Sequence, residues 1–268
     1  MSNYRTRIAP TPSGYLHLGN AVNALYTWAK ARMAGGEVML RIDDVDVVRL
    51  RDEYVVNIFE TLQWLGIDWD IGPTCASDFY QTWSQQHRIN RYSEVLGDLR
   101  ANGKLFACTC TRSQIRATNA SMRYVGTCEH AGHDFDASDV SWRLRTPNTI
   151  ELPYAVVRQK EGNPAYNLAS VVDDVDFGIT HIVRGSDLQP ASEVQQHLAQ
   201  STPALAPFEK VTIEHHALLV DEAGNKLSKS GGRGHAEPLR RTQEEYHKTT
   251  DIVASMLGVG VGDLQYLR

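Results

Sequence analysis

An α/β fold on a parallel sheet follows from three features of the sequence. Short apolar strands are each followed by an amphipathic helix, Pro- and Gly-rich segments separate strand from helix, and a cysteine-bearing stretch of different texture interrupts the pattern. The first strand covers 4–9, and the turn-rich segment Ala9-Pro-Thr-Pro-Ser-Gly14 leads into a helix over 21–34 with apolar positions at helical spacing. Met39-Leu-Arg-Ile-Asp-Asp44 is a second strand ending in carboxylates, and 53–67 is a second amphipathic helix. Two strand-helix units place the loops between them at the carboxyl edge of the sheet. A helix over 89–103 ends at a Gly stop signal.

Residues 106–164 carry the cysteines, a polar Gly/His/Asp stretch and the alternating segments 141–145 and 154–159, which predicts a mixed α+β insertion with a metal-held loop. Strand character returns at 179–185 and 215–220, followed by a basic loop and a helix over 244–258. The expected division is 1–105 for the first half of the core, 106–164 for the insertion, 165–220 for the second half, and 221–268 for the lysine loop and a short C-terminal helical region. No internal repeat or low-complexity linker interrupts it.

Lys and Arg total 27 against 32 Asp and Glu in 268 residues, a formal charge of -5, which argues against a protein that coats nucleic acid and confines any nucleic-acid contact to a local patch. No apolar run approaches the roughly 20 residues that span a bilayer, and the N-terminus lacks a signal-peptide core, so no membrane role is expected and the location is the cytoplasm. Of four cysteines, Cys108, Cys110 and Cys128 cluster in sequence while Cys75 stands apart. In a reducing compartment that pattern points to metal rather than disulfides.

Two segments carry phosphate chemistry. Between the first strand and first helix, Arg7 to Asn20 lies where free backbone N–H groups at a helix N-terminus meet anions. Ser13, Gly14 and Gly19 let a nucleotide approach the backbone, and His17 can donate to a developing phosphate charge. The second segment is Lys226-Leu-Ser-Lys-Ser230, whose lysines suit a triphosphate that expels pyrophosphate by electrostatic stabilisation, with no covalent nucleophile. Alone, each is an ordinary loop; together they are not.

These segments resemble the HIGH and KMSKS signatures of class I aminoacyl-tRNA synthetases, and the residues around them resemble the glutamyl/glutaminyl branch. Arg7-Ile-Ala-Pro-Thr-Pro-Ser-Gly-Tyr-Leu-His-Leu-Gly19 is similar to R-F-A-P-S-P-T-G-x-L-H-x-G, and Arg41-Ile-Asp-Asp-Val-Asp46 to R-I-E-D-T-D. Trp64-Leu-Gly, Asp68-Trp-Asp70, Gly72-Pro73, Tyr166-Asn-Leu-Ala, Val171-Val-Asp-Asp174 and Ile182-Val-Arg-Gly-Ser-Asp-Leu188 follow in the expected order, from about residue 5 to about 230.

The resemblance implies a Rossmann-like core that activates an amino acid with ATP and Mg²⁺ and transfers it to RNA. It implies an amino-acid pocket of Arg7, Ala9, Thr11, Asp43, Tyr166 and Arg184, with Arg7 reading the side-chain carboxylate of glutamate; a planar guanidinium suits that task. It implies an ATP site of Pro10, Ser13, Gly14, His17, Gly19, Asn20, Lys226, Leu227, Ser228 and Lys229, with His17, Lys226 and Lys229 catalytic. One departure matters: Asp43 stands for the family's Glu, one methylene shorter where the substrate's α-amino group is expected. Thr11 stands for the usual Ser, and Asn20 for a second imidazole.

Cys108-x-Cys110 and Cys128-x-His130, with residues 111–127 between them, offer four ligands in two pairs and suit a closed, structural zinc site. The family carries zinc in this insertion in two forms: C-x-C…C-x-H in some full-length glutamyl enzymes, and a Tyr four residues before the last Cys in the short glutamyl-queuosine members. This sequence has both, with Tyr124 as the alternative fourth ligand; imidazole is the better neutral ligand, which favours His130. His133 is expected to face solvent.

Only 38 residues follow Ser230, so no anticodon-binding domain of the glutamyl-tRNA synthetase type is expected. The nearest resemblance is to the short members that attach glutamate to queuosine in the anticodon of tRNA(Asp), acting as a monomer. A catalytic fragment of a glutamyl-tRNA synthetase, a paralogue that ligates an acidic amino acid to a non-tRNA acceptor, and a non-catalytic RNA-binding protein are the alternatives.

Overall fold

The computed structural model describes residues 3–119, 121–219 and 237–267. In chain order the elements are β1 (Arg5–Ile8), α1 (Leu18–Met33), β2 (Glu37–Leu40), α2 (Asp52–Leu65), the short α3 (Ala76–Asp78), α4 (Ile89–Ala101), β3 (Leu105–Cys108), α5 (Arg112–Thr118), β4 (Ser141–Leu144), β5 (Val156–Arg158), α6 (Tyr166–Asp176), β6 (His181–Gly185), α7 (Gln189–Ala199), β7 (Thr212–His216), α8 (Gln243–Leu257) and α9 (Val261–Gln265). They form two compact units. The first holds 3–84, 179–187 and the described residues from 212 onward; the second holds 85–178 and 188–211.

The first unit contains the parallel strands. β1 pairs in parallel with β2, Arg5 opposite Glu37 and Ile8 opposite Leu40, and β6 pairs in parallel with β7. Thr180 brings β6 beside β1: its backbone N–H donates to the Arg5 carbonyl at 2.9 Å, and the Arg5 N–H donates to Thr180 Oγ1 at 2.8 Å. On the other edge, Ile71 bridges Met39 in parallel. The spatial order is therefore Ile71, β2, β1, β6, β7, which reverses direction between β1 and β6, as in a doubly wound sheet. The core is built from helical stripes. Val55, Ile58, Leu62 and Leu65 of α2 recur at i, i+3, i+7 and i+10, and pack with Val22, Leu25 and Trp28 of α1 and Val253 of α8.

Two strand expectations shift. The second strand stops at Leu40 rather than running to Asp44, although the Arg41 and Asp43 N–H groups still donate to the carbonyls of Ile8 and Pro10, each at 2.9 Å. Pro10 and Pro12 have no N–H to return, so the ladder cannot continue. Among the described residues the last strand is β7, Thr212–His216, rather than 215–220: β6 ends at Gly185, opposite His216, and no strand among them pairs with 217–219. Leu219 packs on the core without joining the ladder, and Val220 lies outside the described residues.

The second unit is an antiparallel sheet in the order β3-β4-β5 with helices α4, α6 and α7. Residues 85–105, expected in the core, fold into this unit, as do 165–178 and 188–211. A buried carboxylate explains the assignment of α4. Asp173 of α6 accepts from Gln85 Nε2 at 2.8 Å, Arg88 Nε at 2.7 Å and Tyr92 Oη at 2.9 Å, so α4 and the turn before it are tied to α6. Among the described residues no helix is long and apolar enough to cross a membrane.

Candidate active site and cysteine cluster

The reversal between β1 and β6 marks the crevice where open α/β sheets take ligands. The chain leaving β1 there is the 9–17 loop, and its end is shaped by His17. His17 is the N-cap of α1: its Nδ1 accepts the Gly19 N–H at 3.0 Å, while its own N–H donates to Asn20 Oδ1 at 3.1 Å. With Nδ1 accepting, the neutral ring carries its proton on Nε2 and presents a donor. Asn20, read from sequence as a lost imidazole, closes the helix cap instead. No acidic side chain occupies the first turn of α1, so the positive end of its dipole is not cancelled.

The loop is held from α2 at two points one helical turn apart. Asn57, buried, accepts the Leu16 N–H at 2.9 Å, and Glu53 accepts from the Tyr15 hydroxyl at 3.0 Å. Sequence reasoning passed over both. The signal available for Asn57 was a polar residue on the same helix as Val55, Ile58 and Leu62, where burial leaves it no water. Ser13 and Thr11 are exposed, and the Ser13 N–H donates to the Thr11 carbonyl at 2.9 Å in a tight turn; Gly14 is buried, and Ala9 and Pro10 are half-buried.

Arg7 and Arg184 are buried at the carboxyl-end halves of β1 and β6. Opposite Arg184 in the ladder stands His215, whose pKa is pushed down by burial and by the Arg184 charge, which keeps the ring neutral at neutral pH. Asp43 is buried in a two-point pair with Arg41: Nε to Oδ1 at 2.6 Å and Nη2 to Oδ2 at 3.2 Å. The carboxylate expected at the substrate's amino group is thus bonded to an arginine two residues away. Tyr166 is the first residue of α6 in the second unit; at 36% exposure it is no core aromatic. Lys226, Leu227, Ser228 and Lys229 lie outside the described residues.

In the second unit, the sulfurs of Cys108, Cys110 and Cys128 all lie within 4.8 Å of one another, with Cys110 and Cys128 at 3.5 Å. Cys108 ends β3, which pairs with β4, and Tyr124 completes the group. The Cys108 thiol donates to the Tyr124 hydroxyl at 3.3 Å, and the same oxygen accepts the Cys128 N–H at 2.8 Å. Tyr124 is 6% exposed, whereas the side chain of His130 is 89% exposed and 3.8 Å from the Glu129 carboxylate. Ring basicity favours His130, but the turn after Cys128 aims its imidazole at solvent. His133, expected to face solvent, is half-buried and lines a cavity of about 360 Å³ together with Cys110 and Cys128.

The electrostatics of the cluster are uneven. Burial opposes ionisation of Cys128, but hydrogen bonds from Tyr124, Cys110, the Thr109 backbone and His133 pull its thiol down to about 6; burial and the neighbouring thiols push Cys110 up to about 11. Four ligands at about 2.3 Å on a tetrahedral zinc place sulfurs roughly 3.8 Å apart, so three thiols with this spacing and a phenol oxygen fit the ion. Of the arginines on this insertion, Arg123 donates to the Asn148 and Ile150 carbonyls, while Arg112 and Arg116 are exposed on α5.

Comparison with known proteins gives one consistent picture. The family described as tRNA synthetases class I (E and Q), catalytic domain, matches residues 3–134 and 139–247. A glutamyl-Q tRNA(Asp) synthetase of Parasynechococcus marenigrum (strain WH8102) is 37% identical over 265 residues, covering 96% of this chain and 84% of that protein. Glutamate–tRNA ligase 1 of Acidithiobacillus ferrooxidans is 34% identical over 252 residues, covering 85% of this chain and 51% of its own length. The crystal structure of glutamate-tRNA synthetase from Elizabethkingia anophelis has the same fold, with a TM-score of 0.72 at 24% identity over 88% of this chain and 54% of that one. The chain thus spans about half the length of these glutamate–tRNA ligases.

Proposed function

The chain belongs to the class I tRNA synthetases of the E and Q branch, and is a ligase of that type, and on that premise we propose that it forms glutamyl adenylate from glutamate and ATP and transfers the glutamyl group to queuosine in the anticodon of tRNA(Asp). In the first step an α-carboxylate oxygen of glutamate attacks the α-phosphorus of ATP, and the bond to pyrophosphate breaks. In the second, an acceptor hydroxyl attacks the acyl carbon and AMP leaves.

The chain's residues act by position and charge. Phosphates lie over the 13–20 loop, where Nε2 of His17 donates and the uncancelled dipole of α1 favours anions. Arg7 and Arg184 orient the amino acid, with Ala9 and Thr11 around it, and Pro10 and Gly14 take part in holding the nucleotide. Lys226 and Lys229, with Mg²⁺ brought by ATP, stabilise the departing pyrophosphate. Asp43, its carboxylate fixed by Arg41, meets the α-amino group, and the arginines select an acidic amino acid. Zinc, where bound, supplies a structural crosslink, held by Cys108, Cys110, Cys128 and Tyr124. The protein acts as a monomer in the cytoplasm.

One observation favours the queuosine reading over a glutamyl-tRNA synthetase fragment: Tyr124, the residue that marks the short members, reaches the cysteines while His130 does not. Glutamate-dependent ATP–pyrophosphate exchange without tRNA, followed by transfer of labelled glutamate to tRNA(Asp) with and without queuosine, tests the whole reading. Exchange with glutamate alone and transfer only to queuosine-bearing tRNA(Asp) is expected. Exchange that requires tRNA, or transfer to a 3′-terminal adenosine, returns the chain to the glutamyl-tRNA synthetase alternative. Exchange with another amino acid removes glutamate as the substrate.

A further inference from the structure

β4 reads Ser141-Trp-Arg-Leu144 and is buried at every position, so Arg143 puts a guanidinium where an apolar side chain is expected. The residue is 8% exposed. Its Nη1 donates to the Tyr154 carbonyl at 2.9 Å, and its Nε is buried with no hydrogen-bond partner among the described residues. No carboxylate among the described residues pairs with it; its neighbour Arg145, by contrast, pairs with Glu129 at 3.3 Å. A buried cation without a counter-ion is costly, and such groups persist where something compensates them.

What Arg143 does contact is the face of Tyr124: its guanidinium carbon lies 3.9 Å from the ring centroid. The ring is boxed in by Phe106 and Tyr154, with centroids 6.3 and 6.0 Å away. Its hydroxyl is the atom that reaches Cys108 and the Cys128 N–H. The buried cation and the cysteine cluster are therefore joined through one aromatic ring. Metal binding requires thiolates, and three of them exceed the charge of a divalent ion by one before the phenol oxygen is counted. The negative charge that Arg143 lacks in the carboxylates around it is thus supplied by the loaded cluster.

We propose that Arg143 is the positioning residue and counter-charge of this metal centre. Stacked on the Tyr124 ring, it holds the phenol oxygen at the three thiols and offsets the excess negative charge of the ligand set. The proposal rests on the metal reading of the cluster and is independent of the RNA acceptor.

The test uses the full chain loaded with zinc, titrated against a chromophoric chelator, and the cobalt(II) form for its absorption spectrum. Wild type is expected to hold one zinc per chain. Arg143→Met should lower zinc affinity by about 10–100-fold, the range seen when groups that orient metal ligands are removed. Arg143→Lys, which keeps the charge, should recover part of it. Tyr124→Phe should weaken binding to a similar degree and alter the cobalt spectrum, and adding Arg143→Met to it should cost little more, because the arginine acts through that ring.

Wild-type affinity in Arg143→Met overturns the proposal. So does a double variant whose loss is the product of the two single losses, or a drop in melting temperature that is equal with and without zinc, which marks a role in packing alone. If Arg143→Met does not fold, Tyr124→Phe and Arg143→Lys decide: unchanged affinity and an unchanged cobalt spectrum in Tyr124→Phe, or an affinity in Arg143→Lys as low as in Tyr124→Phe, overturns it. A wild-type chain that binds no zinc fails the metal reading itself, and is distinguished from these outcomes by the metal content measured before any substitution.

Discussion

Nδ1 of His17 accepts the backbone N–H of Gly19 at 3.0 Å, so the imidazole lies folded over the first turn of the helix it caps. A Cβ on residue 19 would stand 2.9 Å from Cε1 and 3.1 Å from Nδ1 of that ring. Gly19 does not have a positive φ, so it is the ring rather than the backbone that excludes a side chain there. Gly19→Ala should turn the imidazole out of place, and a displacement of about 1 Å costs on the order of 100-fold in rate. Pyrophosphate exchange is expected to fall that far while circular dichroism and the melting temperature stay near wild type. Unfolding in parallel with the rate loss would count against this account.

Asp43 and Arg41 form a buried ion pair, and neutralising Asp43 removes one charge of it from the interior. Asp43→Asn should therefore destabilise the protein by about 3–5 kcal/mol, read from urea denaturation midpoints. A carboxylate that served only the substrate would give a loss of affinity for glutamate and an unchanged midpoint.

Substitutions at His130 and Cys128 should behave in opposite ways. His130→Ala is expected to leave zinc content at wild-type level, because its imidazole faces solvent. Cys128→Ser should abolish stoichiometric zinc. Loss of zinc from the His130 variant would restore the ligand set that spacing alone suggested.

Acid should unfold the protein through carboxylates held low. Burial pushes Asp176 up, but hydrogen bonds from Arg91 and Arg88 hold its carboxyl below the usual carboxylate range, and Lys30 and Tyr26 do the same for Glu214 against its burial. In each case the unfolded chain takes up protons at a higher pH than the native one. The stabilisation is complete above the ordinary carboxylate value and is lost as pH falls through the lowered one. The melting temperature should decline from about pH 5 downward, and Asp176→Asn should flatten that slope while lowering the melting temperature at pH 7. An equally steep slope in the variant would show that Asp176 is not a source of it.

Residues that act through local chemistry were legible beforehand. The strand, loop and helix around His17 follow from apolar periodicity and a Pro/Gly-rich turn, and the three cysteines follow from short spacing. Asn57 was not legible, because its partner is the Leu16 N–H 41 positions away and the helix that carries it looks like any amphipathic helix. Arg143 was hidden in the same way: alternation in the segment 141–145 suggests a half-exposed strand, whereas all four residues of β4 are buried.

The reaction type, the parallel α/β core and the candidate pocket residues were set by motifs whose chemistry depends on residue type and order. The fourth group at the cysteines, the pairing of Asp43 with Arg41 and the membership of residues 85–105 in the second unit came only with the fold. Tyr124 and His130 stand four before and two after Cys128, and sequence distance cannot rank them; the hydrogen bonds that the Tyr124 oxygen makes to Cys108 and Cys128, and the turn that leaves His130 in water, do. Burial and long-range partners choose among chemically equivalent side chains, and both exist only after the chain has closed on itself.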